Sequence, residues 1–347
     1  MLNTLKIAIP TAGLAKRMRP QTWSKPKPLV SVAGKAAIDH LLQGFRTLPA
    51  DIDVEYIIIV GPGLGEEQIP AYITEHHPDL RVRYVVQPQM LGQSDAFYSA
   101  REFLTGPLIT IFSDTLIETD FSFLADEQND GVAWVKPVED ARRFGVAELN
   151  GENCISRLIE KPTTNENTLA VVGCYFFQDG AALRSAFEEQ FRLEKKYHNE
   201  YYLVDAINIM IERGAKMEIQ KVETWLDTGT IEAILDTNHY LLEHGYGNSP
   251  ETYGADVQLI SPVFIHPDAK ISDSVIGPHV SIAGGCSLRN SKVQNSILED
   301  GVCVEAAFLK DSFIGRNARV VGRSRDDPPM ALNIGDDSTV IFKGESV

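Results

Sequence analysis

Three phrases in the last third of the chain read alike: Ile276-Gly-Pro-His-Val280, Ile314-Gly-Arg-Asn-Ala318 and Ile334-Gly-Asp-Asp-Ser-Thr-Val340. They belong to a longer rhythm in which an aliphatic residue recurs about every six positions. The series runs Ile265, Ile271, Ile276, Ile282, Leu288, then Leu298, Val304, Leu309, Ile314 and Val320. Strands of a β-sandwich would alternate every second residue. A six-residue period instead predicts a parallel β-helix, in which each short strand sends one aliphatic side chain inward. Gly, Asn and Asp between the strands supply corners that tolerate the left-handed backbone conformation. One coil cannot bury its own face, so several must stack.

Upstream of this rhythm the pattern is different. Val54–Val60 is a continuous apolar run of strand length, and residues 6–10, 81–86 and 108–112 read the same way. Helix-period spacing appears over residues 36–45, 66–74, 94–104 and 230–244. Strands alternating with helices predict a mostly parallel sheet with helices on both faces, a Rossmann-like α/β fold. Its ligand crevice should lie at the carboxyl ends of the strands. The chain therefore divides into residues 1–245, a linker over 246–256 that opens in Gly- and Asn-rich sequence, and the repeat region 257–347.

At 347 residues, two domains are the natural division. The formal charge of −16 argues against nucleic acid or an anionic membrane as the partner. The four cysteines are isolated in sequence, which fits a reducing compartment, and no apolar stretch has the length of a signal peptide or a membrane span. A cytoplasmic protein is the expectation. Any anionic ligand must then be met by locally gathered cations.

Such a gathering follows the first strand: Lys16, Arg17 and Arg19, with Lys25 and Lys27 soon after. Small residues at Ala12, Gly13 and Ala15 would let backbone N–H groups approach a phosphate. By spacing alone this segment could equally be a solvated basic turn. Gln87 to Ala96 could be only a loop with a helix start, Asp114 a helix cap, Asp227 an N-cap, and Glu160-Lys161 an exposed ion pair.

The order of residues resembles the signature of sugar-1-phosphate nucleotidyltransferases. Gly13-Leu-Ala-Lys-Arg17-Met-Arg-Pro20 and Lys25-Pro-Lys27-Pro-Leu match its first two segments, and Gln87 to Gly92 its base-binding segment. Phe144-Gly145-Val-Ala-Glu148, Glu160-Lys161-Pro162, Val172-Gly173-Cys-Tyr175 and Trp225-Leu-Asp227-Thr-Gly-Thr230 match the rest. Late phrases such as Asp311-Ser-Phe-Ile-Gly-Arg-Asn317 are most similar to long-form glucose-1-phosphate thymidylyltransferases, whose C-terminal β-helix is left-handed.

The resemblance implies a nucleoside triphosphate, with dTTP or UTP favoured, and a sugar-1-phosphate, with glucose-1-phosphate favoured. It implies that Arg17 clamps the β- and γ-phosphates and that Lys27 sits between the α-phosphate and the sugar phosphate. Ala12, Gly13, Ala15, Lys16, Gln87 and Gly92 would hold the nucleotide. Gly145, Glu160, Lys161, Gly173 and Tyr175 would hold the sugar phosphate, and Asp114 and Asp227 would bind Mg²⁺. The β-helix would mediate homo-oligomer packing; its histidines, His266 and His279, lie in turns and do not suggest acyl transfer.

Three positions depart from the family wording: Ala15 for a glycine, Lys16 for a threonine and Ser113 for a glycine. They keep a catalytically reduced regulatory subunit in view; a guanylyl- or adenylyltransferase is a further alternative because those enzymes share most of the motifs. If position 15 needs a positive φ, Ala carries a cost there; if it needs only a small side chain, Ala is harmless.

Overall fold

A computed structural model describes residues 2–151, 153–197, 199–248 and 253–342. Residues 249–252 of the expected linker and 343–347 of the repeat region lie outside them. Contacts group the chain into two compact units that do not follow chain order. One joins Met1–Gly13 to Leu41–Trp225, and the other joins Leu14–His40 to Leu226–Val347.

The first unit is the α/β sheet. Strands β1 (Thr4–Pro10), β2 (Asp53–Val60), β3 (Val82–Val86) and β4 (Leu108–Ile111) run parallel in the order β4-β1-β2-β3. The run at Ile57, Ile58 and Ile59 is wholly buried. Ile57 and Ile59 enter a core shared with Phe97 and Phe187, whereas Ile58 faces the other side of the sheet. Burial on both faces is why this strand reads as continuously apolar.

The sheet then becomes antiparallel. Strands β5 (Gly131–Pro137), β6 (Gly145–Leu149), β7 (Ile155–Glu160) and β8 (Leu169–Phe177) extend it through β8, which pairs antiparallel with β4, β5 and β6. β9 (Met217–Lys221) lies parallel to β5. Helices α1 (Ala37–Gly44), α2 (Leu64–His76), α3 (Gln93–Ser99), α4 (Gly180–Arg192) and α5 (Leu203–Glu212) connect these strands. The helix expected over residues 94–104 stops at Ser99, where Ala100 leaves helical geometry and its N–H caps onto Phe97 and Tyr98.

In the second unit, short strands form three parallel sheets, the faces of the expected left-handed β-helix. Each face stacks one aliphatic column: Leu259-Ile276-Val293-Leu309, Ile265-Ile282-Leu298-Ile314-Ile334 and Ile271-Leu288-Val304-Val320-Val340. The six-residue reading passes over Val293, which occupies the slot between Leu288 and Leu298. Corners at Asp273, His279, Asn290, Asn295, Asp311, Asn317 and Asp337 all have positive φ. Two serine ladders tie successive coils. Ser274 Oγ accepts from the N–H of Ser291 at 3.1 Å, and Ser296 Oγ from the N–H of Ser312 at 3.1 Å.

Helix α6 (Ile231–Leu241) and the loop at residues 14–40 belong to this unit. Met18, Val30, Val32, Ile234 and Leu241 share a core with Ile297 and Phe313 of the β-helix. Gln21 donates to the carbonyls of Phe313 (3.2 Å) and Ile334 (2.8 Å) and to Asn333 Oδ1 (3.0 Å). Lys25, 4% exposed, is ion-paired with Glu299, 2% exposed. Asp336 lies 3.9 Å from the same ammonium. The residues expected to begin the linker are also fixed here, because Asn248 Nδ2 donates to the carbonyl of Ile265 at 2.7 Å. Among the described residues no helix is long and apolar enough to cross a membrane.

Removing one partner of the buried pair leaves a desolvated charge. Lys25→Ala should cost about 3–5 kcal/mol. Lys25→Met with Glu299→Gln should recover most of that loss, as measured by urea unfolding.

Candidate active site

In the second unit, the loop after β1 turns on Ala15, whose φ of 42° and ψ of 44° are left-handed. Its carbonyl accepts from the N–H of Met18 at 3.0 Å and from Thr22 Oγ1 at 2.9 Å. Of the two readings for position 15, the structure selects the one that needs positive φ, at about 1 kcal/mol for a Cβ-bearing residue. Met18 is the buried anchor of the turn Lys16–Met18, so Lys16 and Arg17 are left at the surface.

A second turn, Lys27–Leu29, follows Pro26 and carries the buried Pro28 at its middle. The basic cluster read from the sequence is therefore divided. Lys25 turns into the protein toward Glu299, and Lys27 comes close to Arg17.

The meeting point is Gly229. A β-carbon there would stand 2.8 Å from Asp227 Oδ1 and 3.4 Å from both Arg17 Nη2 and Lys27 Nζ. With no side chain in the way, the Gly229 N–H donates to Asp227 Oδ1 at 2.7 Å. Thr237 Oγ1 donates to the Asp227 carbonyl at 2.9 Å. Thr230 itself caps α6, accepting from the N–H of Ala233 at 3.1 Å, so Asp227 is not the helix cap. Thr228 is wholly buried, and its hydroxyl has no hydrogen-bond partner. Two cations and a carboxylate thus converge on a side-chain-free position, a suitable cradle for a phosphate with its counterion.

In the first unit, Ala12 is buried against Gly61, and Gly13 has open space where a side chain would be. Asp114 is half-buried in the turn that leaves β4, closed by the Thr115 N–H donating to the Phe112 carbonyl at 3.0 Å. A bulge in β8 holds this turn. The Gly173 carbonyl accepts from the Phe112 N–H at 3.1 Å, and the Val172 carbonyl from Thr115 Oγ1 at 2.9 Å. Gly173 has φ of 84°, and a β-carbon on it would come within 2.4 Å of the Phe112 ring. Its glycine therefore serves the Asp114 turn directly.

Gly92 also has an internal reason. Its φ is 118°, and a β-carbon would collide with the Tyr201 backbone at 2.5 Å. Gln87 is buried, with Nε2 donating to Asp95 Oδ2 at 2.7 Å. Tyr175 is 2% exposed and packs in the sheet core beside Phe177. The structure thus places its side chain inside the sheet instead of at a surface open to ligand.

Gly145 pairs with Glu160 across β6 and β7, and its missing side chain leaves room for the Glu160 carboxylate and Val171. Burial pushes the Glu160 carboxyl up to about 6, against the pull of Lys161. Lys161, at φ 46°, donates through Nζ to the Tyr202 hydroxyl at 3.1 Å and lies 4.9 Å from the centre of that ring. Burial opposes its charge, but Tyr202 and Glu160 outweigh that and raise its pKa. Tyr202 was not legible as a site residue. Its only sequence signal is the Tyr201-Tyr202 pair opening α5.

The nucleotidyl transferase family model matches residues 9–244. The chain belongs to this family. Like other nucleotidyl transferases it is an enzyme, as the motifs implied. It is 28% identical to a glucose-1-phosphate thymidylyltransferase of Streptomyces antibioticus, over 97% of this chain and 99% of that protein. A bifunctional protein GlmU of Methanococcus maripaludis is 26% identical, over 93% of this chain and 82% of that one. A solved UDP-glucose pyrophosphorylase complexed with UDP-glucose shares the fold, with TM-score 0.57 and 20% identity across 69% of this nucleotidyl transferase and 98% of that chain.

Two measurements check this geometry. Ala15→Gly relieves the left-handed strain but loosens the unfolded chain, so it should leave stability unchanged or raise it by up to about 1 kcal/mol. Glu160 titrates higher in the folded protein than in the unfolded chain, so it binds its proton on folding, and this contribution to stability fades as pH rises from about 4.5 through about 6. Glu160→Gln should therefore gain more in Tm at pH 7.5 than at pH 5, relative to the parent.

Proposed function

We propose that this nucleotidyl transferase joins a nucleoside triphosphate, dTTP or UTP by preference, to a sugar-1-phosphate, glucose-1-phosphate by preference, releasing pyrophosphate. The observation that carries the reading is the convergence of Arg17, Lys27 and Asp227 on Gly229. The dTTP and glucose-1-phosphate preference draws support from the resemblance to a glucose-1-phosphate thymidylyltransferase along nearly the whole chain.

A sugar phosphate oxygen is already ionised, so attack on the α-phosphorus needs no protein base. The work left to the chain is positioning and charge neutralisation. Arg17 presents a planar fork to the β- and γ-phosphates, and Lys27 a point charge to the α-phosphate and the incoming sugar phosphate. Met18 and Pro28, buried beneath the two turns, hold these cations in place so that little reorganisation is needed at the moment of reaction. Lys161, held by Tyr202, serves the sugar phosphate, and Glu160 accepts from sugar hydroxyls. Gln87 and Gly92 form the nucleotide side, with Ala12, Gly13, Ala15 and Lys16 lining the phosphate loop.

The carboxylates assigned to Mg²⁺ are Asp114 and Asp227, both half-buried. With Asp114 in a turn and Asp227 ending the strand Thr224–Asp227, the pair fits an ion that takes one or two carboxylates together with phosphate oxygens and water. When bound, Mg²⁺ would supply further neutralisation of phosphate charge. Homo-oligomer formation through the β-helix remains part of the proposal.

Pyrophosphate release measured with four triphosphates against several sugar phosphates tests the reading directly. Turnover should be greatest with dTTP or UTP and glucose-1-phosphate, and binding without turnover would favour a regulatory subunit. Arg17→Ala should lower kcat about 10²–10³-fold, as loss of a charge-stabilising donor does. Asp114→Asn should remove most metal-dependent turnover with the fold intact, and near-normal kcat in that variant would end the metal assignment.

A further inference from the structure

A group of side chains in the second unit, unused by the proposed reaction, has the composition of a transition-metal site. His239 lies on α6, Glu243 in the wider turn that follows it at Leu242–Tyr246, and His279 at a corner of the β-helix. One ligand-type atom from each lies within 4.8 Å of the other two. His279 Nε2 meets Glu243 Oε1 at 2.6 Å, and His239 Nε2 stands 3.9 Å from the same oxygen. The two imidazoles are stacked, with centroids 3.5 Å apart and planes 18° from parallel.

Position 279 stands out within its own corner. The following coils place Asn295 and Asp311 there, and these pair with each other through Nδ2 and Oδ1 at 2.7 Å. The imidazole one coil earlier reaches α6 instead. Asn238, next to His239, strengthens the contact by donating to the His279 carbonyl at 3.3 Å.

We propose that His239, Glu243 and His279 bind one divalent transition-metal ion of the Zn²⁺ class, clamping the end of α6 to the β-helix. Two neutral imidazoles and one carboxylate are an established donor set for Zn²⁺, and they leave a position for water. A tetrahedral ion with bonds of about 2.0–2.1 Å needs ligand atoms about 3.3 Å apart. His239 and Glu243 are exposed, so side-chain rotation opens the 2.6 Å His279–Glu243 contact and closes the 3.9 Å His239–Glu243 one. This donor set differs from the oxygen ligands suited to Mg²⁺, and its role is structural.

The test titrates the full-length protein with Zn²⁺ against a chromophoric chelator, and separately with Co²⁺ while recording visible absorption. One Zn²⁺ per chain, a Co²⁺ band typical of four- or five-coordinate nitrogen and oxygen ligation, and a raised Tm are the expected results. His239→Ala and His279→Asn, the latter keeping a residue suited to the left-handed corner, should each weaken Zn²⁺ affinity at least tenfold and abolish the Co²⁺ band. His239→Ala should leave nucleotidyl transfer in Mg²⁺ unchanged. Wild-type Zn²⁺ affinity in both histidine variants would overturn the proposal. So would loss of the same binding in Asp114→Asn or Asp227→Asn, or no binding at micromolar Zn²⁺.

Discussion

An ammonium group removed from water must be met by carboxylate at close range or it will not stay charged. Lys25 is such a group, and Glu299 and Asp336 of the β-helix meet it. The Glu299 carboxyl is pushed up by its burial and drawn back by Lys25, so the two depend on each other. Asp336 in turn accepts from Ser24 Oγ at 2.7 Å and from Arg316. Met18 and Gln21 fasten the loop before this ionic centre, and Val30 and Val32 after it. The geometry of Arg17 and Lys27 depends on it.

The β-helix is thus more than an appendage to a complete catalytic sheet. Within its own compact unit it carries the basic loop, α6 and Asp227. Met18 of the Arg17 turn, and Val30 directly after the Lys27 turn, share a core with β-helix side chains such as Ile297 and Phe313. A change in the β-helix interior has a direct physical route to the phosphate cations, through the same core.

Glycine at the motif positions has a common logic. Gly92, Gly173 and Gly229 each lack a side chain because another part of the chain occupies that space: the Tyr201 backbone, the Phe112 ring and the Asp227 carboxylate. These positions shape the site indirectly, by letting neighbouring turns close. Ala15 shows the opposite case. The left-handed turn persists there with a methyl group present, so its surroundings must hold it against its intrinsic preference.

From the sequence alone, the periods of two apolar patterns determined a two-faced sheet followed by a stacked coil. Each pattern records how many faces of an element must be dry, and that is a local property of the chain. The order of Arg17, Lys27, Asp114, Lys161 and Asp227 was equally legible, because short motifs carry their own spacing. What the sequence could not supply is which cation of a cluster turns inward. Lys25 and Lys27 differ by two residues and are chemically identical, and only the buried Glu299, 274 residues away, separates their fates. Likewise, Tyr175 in its motif looks like a ligand contact until the sheet closes over it, and Tyr202 looks like helix entry until Lys161 reaches it. Long-range electrostatics and packing decided these points, since burial and partnership are properties of the assembled fold.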